Sequence, residues 1–246
     1  MLDLWLESSS FKHINYLIKK GCSIIDIGGE STRPGAKDIS TLVEWKRIKK
    51  TLEKTKKLNK FISLDTRKSW IMEKGIKNKV NLINDVSGLE YDPKTKNVLK
   101  KYKTSFVVHH MQGNPKNMQK NPKYKNILLD IYDFFEKKIE KIRSLGIKHN
   151  NIILDPGIGF GKNLKHNMTL INNISIFHSL GFPVMLGVSR KRFIKELSGN
   201  NDSKERLGGT ISSCLHLMTQ GIQILRVHDV NEVNQSIKVF KSFNFK

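Results

Sequence analysis

NIILDPG, residues 151–157, is a short apolar run that stops abruptly on an aspartate, a proline and a glycine. A strand with one wet face alternates apolar and polar residues, whereas a strand buried on both faces is apolar throughout. This run is of the second kind, which points to a parallel sheet. Six more resemble it: CSIIDIGG (22–29), FISLDT (61–66), NLINDVS (81–87), SFVVHHM (105–111), PVMLGVS (183–189) and IQILRVHDV (222–230). Longer stretches with helical spacing lie between them. Leu42, Trp45, Ile48 and Leu52 form one apolar stripe. Ile127, Leu128, Ile131, Phe134, Phe135, Ile139 and Ile142 form another, ended by Gly146, and Val233, Ile237 and Phe240 form the last. Alternation of this kind builds βαβ crossovers.

The expected architecture is α/β, a (β/α)8 TIM barrel in one domain over residues 1–246. The length of 246 residues suits that fold. Seven strands and eight helical stretches can be read, one strand short of closure. Ser8, Ser9 and Ser10 are placed to cap a helix over 11–20 that stops at Gly21, so the missing strand would have to precede Phe11. Only LDLWL (2–6) is available there, and it carries little strand character. The first strand is therefore expected to be missing or replaced.

Composition narrows the function. There are 44 Lys and Arg against 22 Asp and Glu, a formal charge of +22. Only eight of the basic residues are arginine, and the lysines are spread over nearly every segment. A nucleic-acid surface clusters its charge and interleaves aromatics, so no dedicated one is expected. A cationic surface still favours small anionic substrates. Cys22 and Cys214 match neither a zinc nor a CxxC pattern, so a disulfide framework is excluded and a reducing, cytoplasmic home is expected. No apolar run reaches the ~20 residues of a membrane span, and MLDLWLESSSF lacks the features of a secretory signal.

In a (β/α)8 barrel the site forms at the carboxyl ends of the strands. Those ends read Asp26 with GGESTRPG (28–35), Asp65-Thr66-Arg67, Asn84-Asp85, His109-His110-Met111, Asp155-Pro156-Gly157, Ser189-Arg190-Lys191 and Arg226-Val227-His228-Asp229. A single strand-end carboxylate can be a helix cap, but seven polar ends in register point to a site. Asp65, Asn84 and Asp155 suit the donor edge of a heterocycle. Arg226 can stack on a ring or fork a phosphate. His228 lies two residues on and shares its strand face, so the pair reads as an oxyanion or diphosphate clamp. Five arginines (Arg33, Arg67, Arg190, Arg192 and Arg226) fall where a barrel keeps its chemistry. Adjacent His109 and His110 face opposite ways and cannot share a metal. GIGFGK (157–162) departs from the phosphate-loop spacing and is better read as shaping the turn after Asp155.

The segments IIDIGGESTRPGA (24–36), ISLDT (62–66), LINDVSGL (82–89), HHMQGNPKNMQ (109–119), ILDPGIGFGKN (153–163), LGVSRKRFI (186–194), ERLGGT (205–210) and RVHDV (226–230) together closely resemble the dihydropteroate synthase family. The resemblance implies a TIM-barrel homodimer. Its members join 6-hydroxymethyl-7,8-dihydropterin pyrophosphate to p-aminobenzoate in folate biosynthesis and release pyrophosphate, with Mg²⁺ present. It further implies that Asp65, Asn84 and Asp155 bind the pterin and that Lys191 contacts both substrates. Ser189, Phe160 and Pro34 would line the aminobenzoate site, and Thr32 and Arg33 would belong to a loop closing over it. Arg226 would stack on the pterin and, with His228, hold the departing pyrophosphate. The implied mechanism is dissociative, with Lys191, Arg226 and His228 as the catalytic set.

Two departures from the family stand out. Its opening NVTPDSF segment, whose Asn contacts Mg²⁺ and pyrophosphate, has no counterpart in MLDLWLESSSF, so no metal ligand is identifiable. His109 stands where a Met often packs against the pterin. The alternatives are a truncated inactive homologue, kept for polyanion binding or not kept at all, and a methyltetrahydrofolate-dependent methyltransferase-type barrel. The STRPG and SRK segments argue against the latter.

Overall fold

A computed structural model describes residues 2–3, 7–32 and 35–244. Its strands are β1 (Leu2–Asp3), β2 (Ile24–Gly28), β3 (Phe61–Asp65), β4 (Leu82–Asp85), β5 (Ser105–His109), β6 (Ile152–Asp155), β7 (Met185–Leu186) and β8 (Ile224–Leu225). The helices between and after them are α1 (Glu7–Lys19), α2 (Thr41–Thr55), α3 (Ser69–Lys77), α4 (Thr95–Tyr102), α5 (Ile127–Ser144), α6 (Leu164–Asn172), α7 (Arg192–Ser198), α8 (Leu207–Thr219) and α9 (Val230–Asn244). All seven expected strands are present. β1 to β6 pair in chain order, all parallel, and β7 pairs with β8. A bridge from Leu154 to Val184 carries the sheet from β6 to β7. In the helical layer α9 meets α1, where the Asn234 amide donates to the Lys20 carbonyl at 3.0 Å.

As expected, the first strand is replaced: among the described residues a two-residue stub pairs with Ile27 and Gly28. Two details differ from the sequence reading. α1 begins at Glu7, so the three serines lie inside the helix instead of capping it. β7 and β8 shrink to two residues each, although their apolar runs are seven and nine long. Helix ends elsewhere follow capping chemistry. Ser40 caps α2 through Val43 N–H, and Asn126 caps α5 through the amides of Leu128 and Leu129. Gly146, with φ +83°, ends α5 as expected.

The strand residues alternate between two apolar environments. Ile25, Ile27, Leu64, Ile83, Phe106, Val108 and Leu154 pack outward against helices. Leu82, Val107 and Met185, with Ile153 and Ile224, plug the barrel interior. Because side chains alternate, residues two positions beyond the plug share its face. That puts Asn84, His109, Asp155 and Arg226 above Leu82, Val107, Ile153 and Ile224. Asp65 lies opposite Asn84 in register, so the apolar plug is the floor of a polar chamber.

Candidate active site

The chamber is a compact charge cluster. Arg226 Nη1 donates to Asp26 Oδ2 at 3.1 Å and to Asp65 Oδ2 at 3.3 Å. Asn84 Nδ2 donates to the same Asp26 oxygen at 3.3 Å. Asp155 Oδ1 accepts from the Gly157 amide at 2.8 Å. The His109 ring meets Phe160 edge-on at 4.6 Å, and its Nδ1 lies 3.0 Å from the Val86 carbonyl. A carbonyl only accepts, so Nδ1 carries the proton and Nε2 of the neutral ring is left as an acceptor.

Four polar atoms here have no hydrogen-bond partner in the chain: Asp26 Oδ1, Asp65 Oδ1, Asn84 Oδ1 and His109 Nε2. Buried polar groups are almost always paired. Among the described residues only one further side-chain atom, Thr95 Oγ1, shares this condition. Four such atoms around one chamber form an acceptor-rich mould for a donor-rich ligand.

Burial sets the ionisation. Desolvation, with repulsion from Asp26, pushes the Asp65 carboxyl up to about 8 despite Arg226 beside it. Desolvation lowers His109 to about 4, so the ring is neutral. It also lowers Lys191 to about 7, with Arg226 adding to the effect. Arg226 itself is desolvated, but Asp26, Asp65 and Asp155 outweigh that and hold its charge.

Two cavities meet at Arg226 and His228. The smaller, about 140 Å³, reaches into the barrel past Asp26, Ser63 and Asn84. The larger, about 700 Å³, opens outward along Thr32, Phe160, Ser189 and Lys191. There the Lys191 ammonium lies 4.8 Å over the Phe160 ring and donates to the Ile158 carbonyl. His228 Nδ1 sits 3.0 Å from Ser189 Oγ. An inner slot that reaches Asp26 and Asn84 and a wider outer chamber, with a guanidinium between them, can hold two substrates against one leaving group.

The structure thus brings together Thr32, Asp65, Asn84, Asp155, Phe160, Ser189, Lys191, Arg226 and His228. Arg33 and Pro34 lie outside the described residues. GIGFGK is a strand-end turn: Gly157, Gly159 and Gly161 all have positive φ, and a Cβ on Gly157 would stand 2.0 Å from the His110 carbonyl. His110 points away from the chamber, its Nδ1 2.9 Å from Lys162 Nζ, so the two histidines do face apart.

The arginine reading needs correcting in one place. Arg67 is buried against Glu30 and lines neither cavity, so it braces the rim, whereas Arg190, paired with Asp229, lines the outer chamber with Arg192. Asp26 was read as a strand end but given no role, yet it binds both Arg226 and Asn84. An acid in the middle of an apolar strand, IIDIGG, was the available signal.

Residues 7–228 match the family model described as pterin binding enzyme. The dihydropteroate synthase of Neisseria meningitidis serogroup C is 37% identical over 236 residues, covering 95% of this chain and 83% of that protein. That of Escherichia coli K12 is also 37% identical, covering 94% and 82%. Among solved structures, Yersinia pestis dihydropteroate synthase in a sulfonamide complex superposes with a TM-score of 0.95 at 33% identity, covering all of this chain and 89% of that one. The Thermus thermophilus enzyme in complex with 4-aminobenzoate gives 0.87 at 32% identity, covering 96% and 90%.

Proposed function

The chain belongs to the pterin binding enzymes, among the dihydropteroate synthases, and from that premise we propose how its cleft divides the reaction. The activity is a transferase step of folate biosynthesis: 6-hydroxymethyl-7,8-dihydropterin pyrophosphate and p-aminobenzoate give 7,8-dihydropteroate and pyrophosphate. In the proposed division Asp26, Asp65, Asn84, His109 and Asp155 read the pterin in the polar chamber around Arg226. Phe160, Ser189 and Lys191 flank the arylamine in the outer chamber, with Thr32, Arg33 and Pro34 on the loop beside it. Arg226 stacks on the pterin and, with His228, holds the diphosphate. Residues 1–246 are read as one barrel domain.

The observation that carries this reading is the set of four unpaired acceptors beside Arg226. A pterin edge presents amino and ring N–H donors, the chemistry those atoms lack. The step is dissociative. The bond from the pterin methylene to the diphosphate oxygen breaks, and its electron pair leaves with the diphosphate. The arylamine nitrogen then bonds to the methylene and gives up a proton to solvent. Catalysis rests on positioning and on preorganised cations at the departing anion.

Magnesium prefers several hard oxygen ligands. Among the described residues no group of three His, Cys, Asp or Glu could hold a metal, and Asp26 and Asp65 are engaged with Arg226. These residues do not fit a resident ion, so we propose that Mg²⁺ arrives as the diphosphate's counterion. A homodimer is also proposed, on the resemblance and on exposed apolar residues such as Leu197 and Phe243. Light scattering of the purified protein tests that assembly. A cytoplasmic location is proposed on the two free cysteines. Among the described residues no helix is long and apolar enough to cross a membrane.

The experiment for the activity is product formation by the purified protein from both substrates, with Asp65→Asn and Arg226→Met beside it. Dihydropteroate from the parent, and a large loss in both variants, supports the assignment. A parent that binds methyltetrahydrofolate but not p-aminobenzoate overturns it.

A further inference from the structure

Two loops far apart in sequence supply one wall of the outer chamber. Thr32 comes from the loop after β2, and Met118 and Gln119 come from the loop after β5. The loops are cross-linked at two points. The Gly35 amide donates to the Pro115 carbonyl at 3.0 Å, and Lys116 Nζ lies 2.7 Å from Asp38 Oδ2.

Each loop is also tied back to the barrel. The other Asp38 oxygen accepts from Arg67 Nη2 at 3.2 Å. Arg67 is buried, lies 4.2 Å over the Tyr91 ring and grips Glu30 at 2.8 Å. Glu30 in turn accepts from the Ile39 amide at 3.0 Å, one residue past Asp38. On the second loop Asn114 and Asn117 hydrogen-bond each other's backbone in a closed turn. Gln119 Nε2 then donates to the Gly159 carbonyl at 2.6 Å, next to Phe160. Asp38 is therefore the joint between a fixed ion network and the wall carrying Met118 and Gln119.

We infer that Asp38 and Lys116 are positioning residues for the arylamine half of the site, holding Thr32 and Met118 in one wall. The inference rests on the reading above, which places the arylamine in the outer chamber. Neither side chain lines the chamber, so their effect passes through the loops they join. Hydrogen bonds from Lys116 and Arg67 hold the Asp38 carboxyl below its usual range, so the pair remains ionised at neutral pH.

The test is steady-state kinetics with each substrate varied, on the parent, Lys116→Met, Asp38→Asn, the double variant and Lys116→Arg. Lys116 is largely exposed, so its replacement leaves folding intact. The expected result is a rise of about threefold to fivefold in KM for p-aminobenzoate, the scale of a partly exposed pair. The KM for the pterin pyrophosphate, kcat and the melting temperature stay put. Lys116→Arg restores the parent value, and the double variant is no worse than Asp38→Asn, because the pair acts as a unit. Unchanged KM for p-aminobenzoate in Lys116→Met, or equal changes for both substrates, overturns the inference. A parent that makes no dihydropteroate overturns the functional reading instead, so the two failures are separable.

Discussion

Two buried charge clusters stand side by side on this barrel, and they differ in how completely they are satisfied. Glu30, Glu44, Arg67 and Lys68 lie behind the rim. Lys68 Nζ bridges Glu30 and Glu44 at 3.0 and 2.6 Å, Arg67 takes the second Glu30 oxygen, and Thr66 Oγ1 donates to the second Glu44 oxygen at 2.6 Å. Every carboxylate oxygen there has a partner. In the second cluster Asp26, Asp65 and Asn84 each keep one oxygen unpaired next to Arg226. Both set carboxylates against cations in the protein interior. A buried polar network is stable when complete and costly when it is not. The complete cluster is scaffold, and the incomplete one is a surface waiting for a ligand.

The sharpest way to break that contrast is to remove one partner from each. Lys68→Met strands two buried carboxylates and should lower unfolding free energy by about 3–5 kcal/mol, read by denaturant melts. The folded fraction should keep Michaelis constants within about twofold. Arg226→Met should do the reverse: stability changes little, because Asp65 is free to stay protonated. Yet kcat/KM for dihydropteroate formation should fall by about 10²–10³, the scale of losing one preorganised charge contact. If Arg226→Met proves as destabilising as Lys68→Met, with normal turnover per folded molecule, the division into scaffold and site fails.

The clusters should also titrate in opposite directions. Glu30 is desolvated, but the Ile39 amide, Arg67 and Lys68 overcome that and lower its pKa. Its contribution to stability is present above the ordinary value of 4.5 and is lost as pH falls further. Asp65 is raised, to about 8, so the unfolded chain binds fewer protons than the folded one between the ordinary 3.8 and about 8. Its ionisation therefore subtracts stability as pH climbs through that window. A pterin that donates N–H groups to Asp65 favours the carboxylate and must displace the proton. Affinity for a 6-hydroxymethylpterin should rise with pH up to about 8, by at most about tenfold per unit. Calorimetry in buffers of different ionisation enthalpy should show proton release. Asp65→Asn should be flat in both measurements, and a flat response from the parent would contradict the raised carboxyl.

The sequence made most of this site legible and almost none of the scaffold cluster, for a physical reason. Strand-end residues announce themselves because a polar group interrupts an apolar run, as in ISLDT and LINDV. Glu30, Glu44 and Lys68 interrupt nothing, and their ion-pair partners are 24 to 38 residues away. Only the fold brings them together. β1 was legible only as a place: LDLWL was the one stretch available for it, with no β-branched run to mark which residues pair with β2. The short β7 and β8 were over-read because apolar character persists past the last ladder bond. There a Cβ on Gly187 would stand 3.4 Å from Arg226 Nε at the site's edge.

His109 offers the smallest and finest test of the contrast, because its ring could serve either as packing or as a reader. Packing has support in the edge-on contact with Phe160. Reading has support in the tautomer: the Val86 carbonyl holds the proton on Nδ1, leaving a buried, partnerless acceptor at Nε2. The low pKa, about 4, means no charge is at stake. If Nε2 accepts one neutral hydrogen bond from the pterin, His109→Met should cost about 1 kcal/mol, a fivefold weaker pterin affinity with kcat unchanged. His109→Gln, which retains an acceptor, should recover part of the loss. Equal affinity in the Met variant and the parent would make the imidazole a wall, reducing the unpaired acceptors that matter to the three oxygens of Asp26, Asp65 and Asn84.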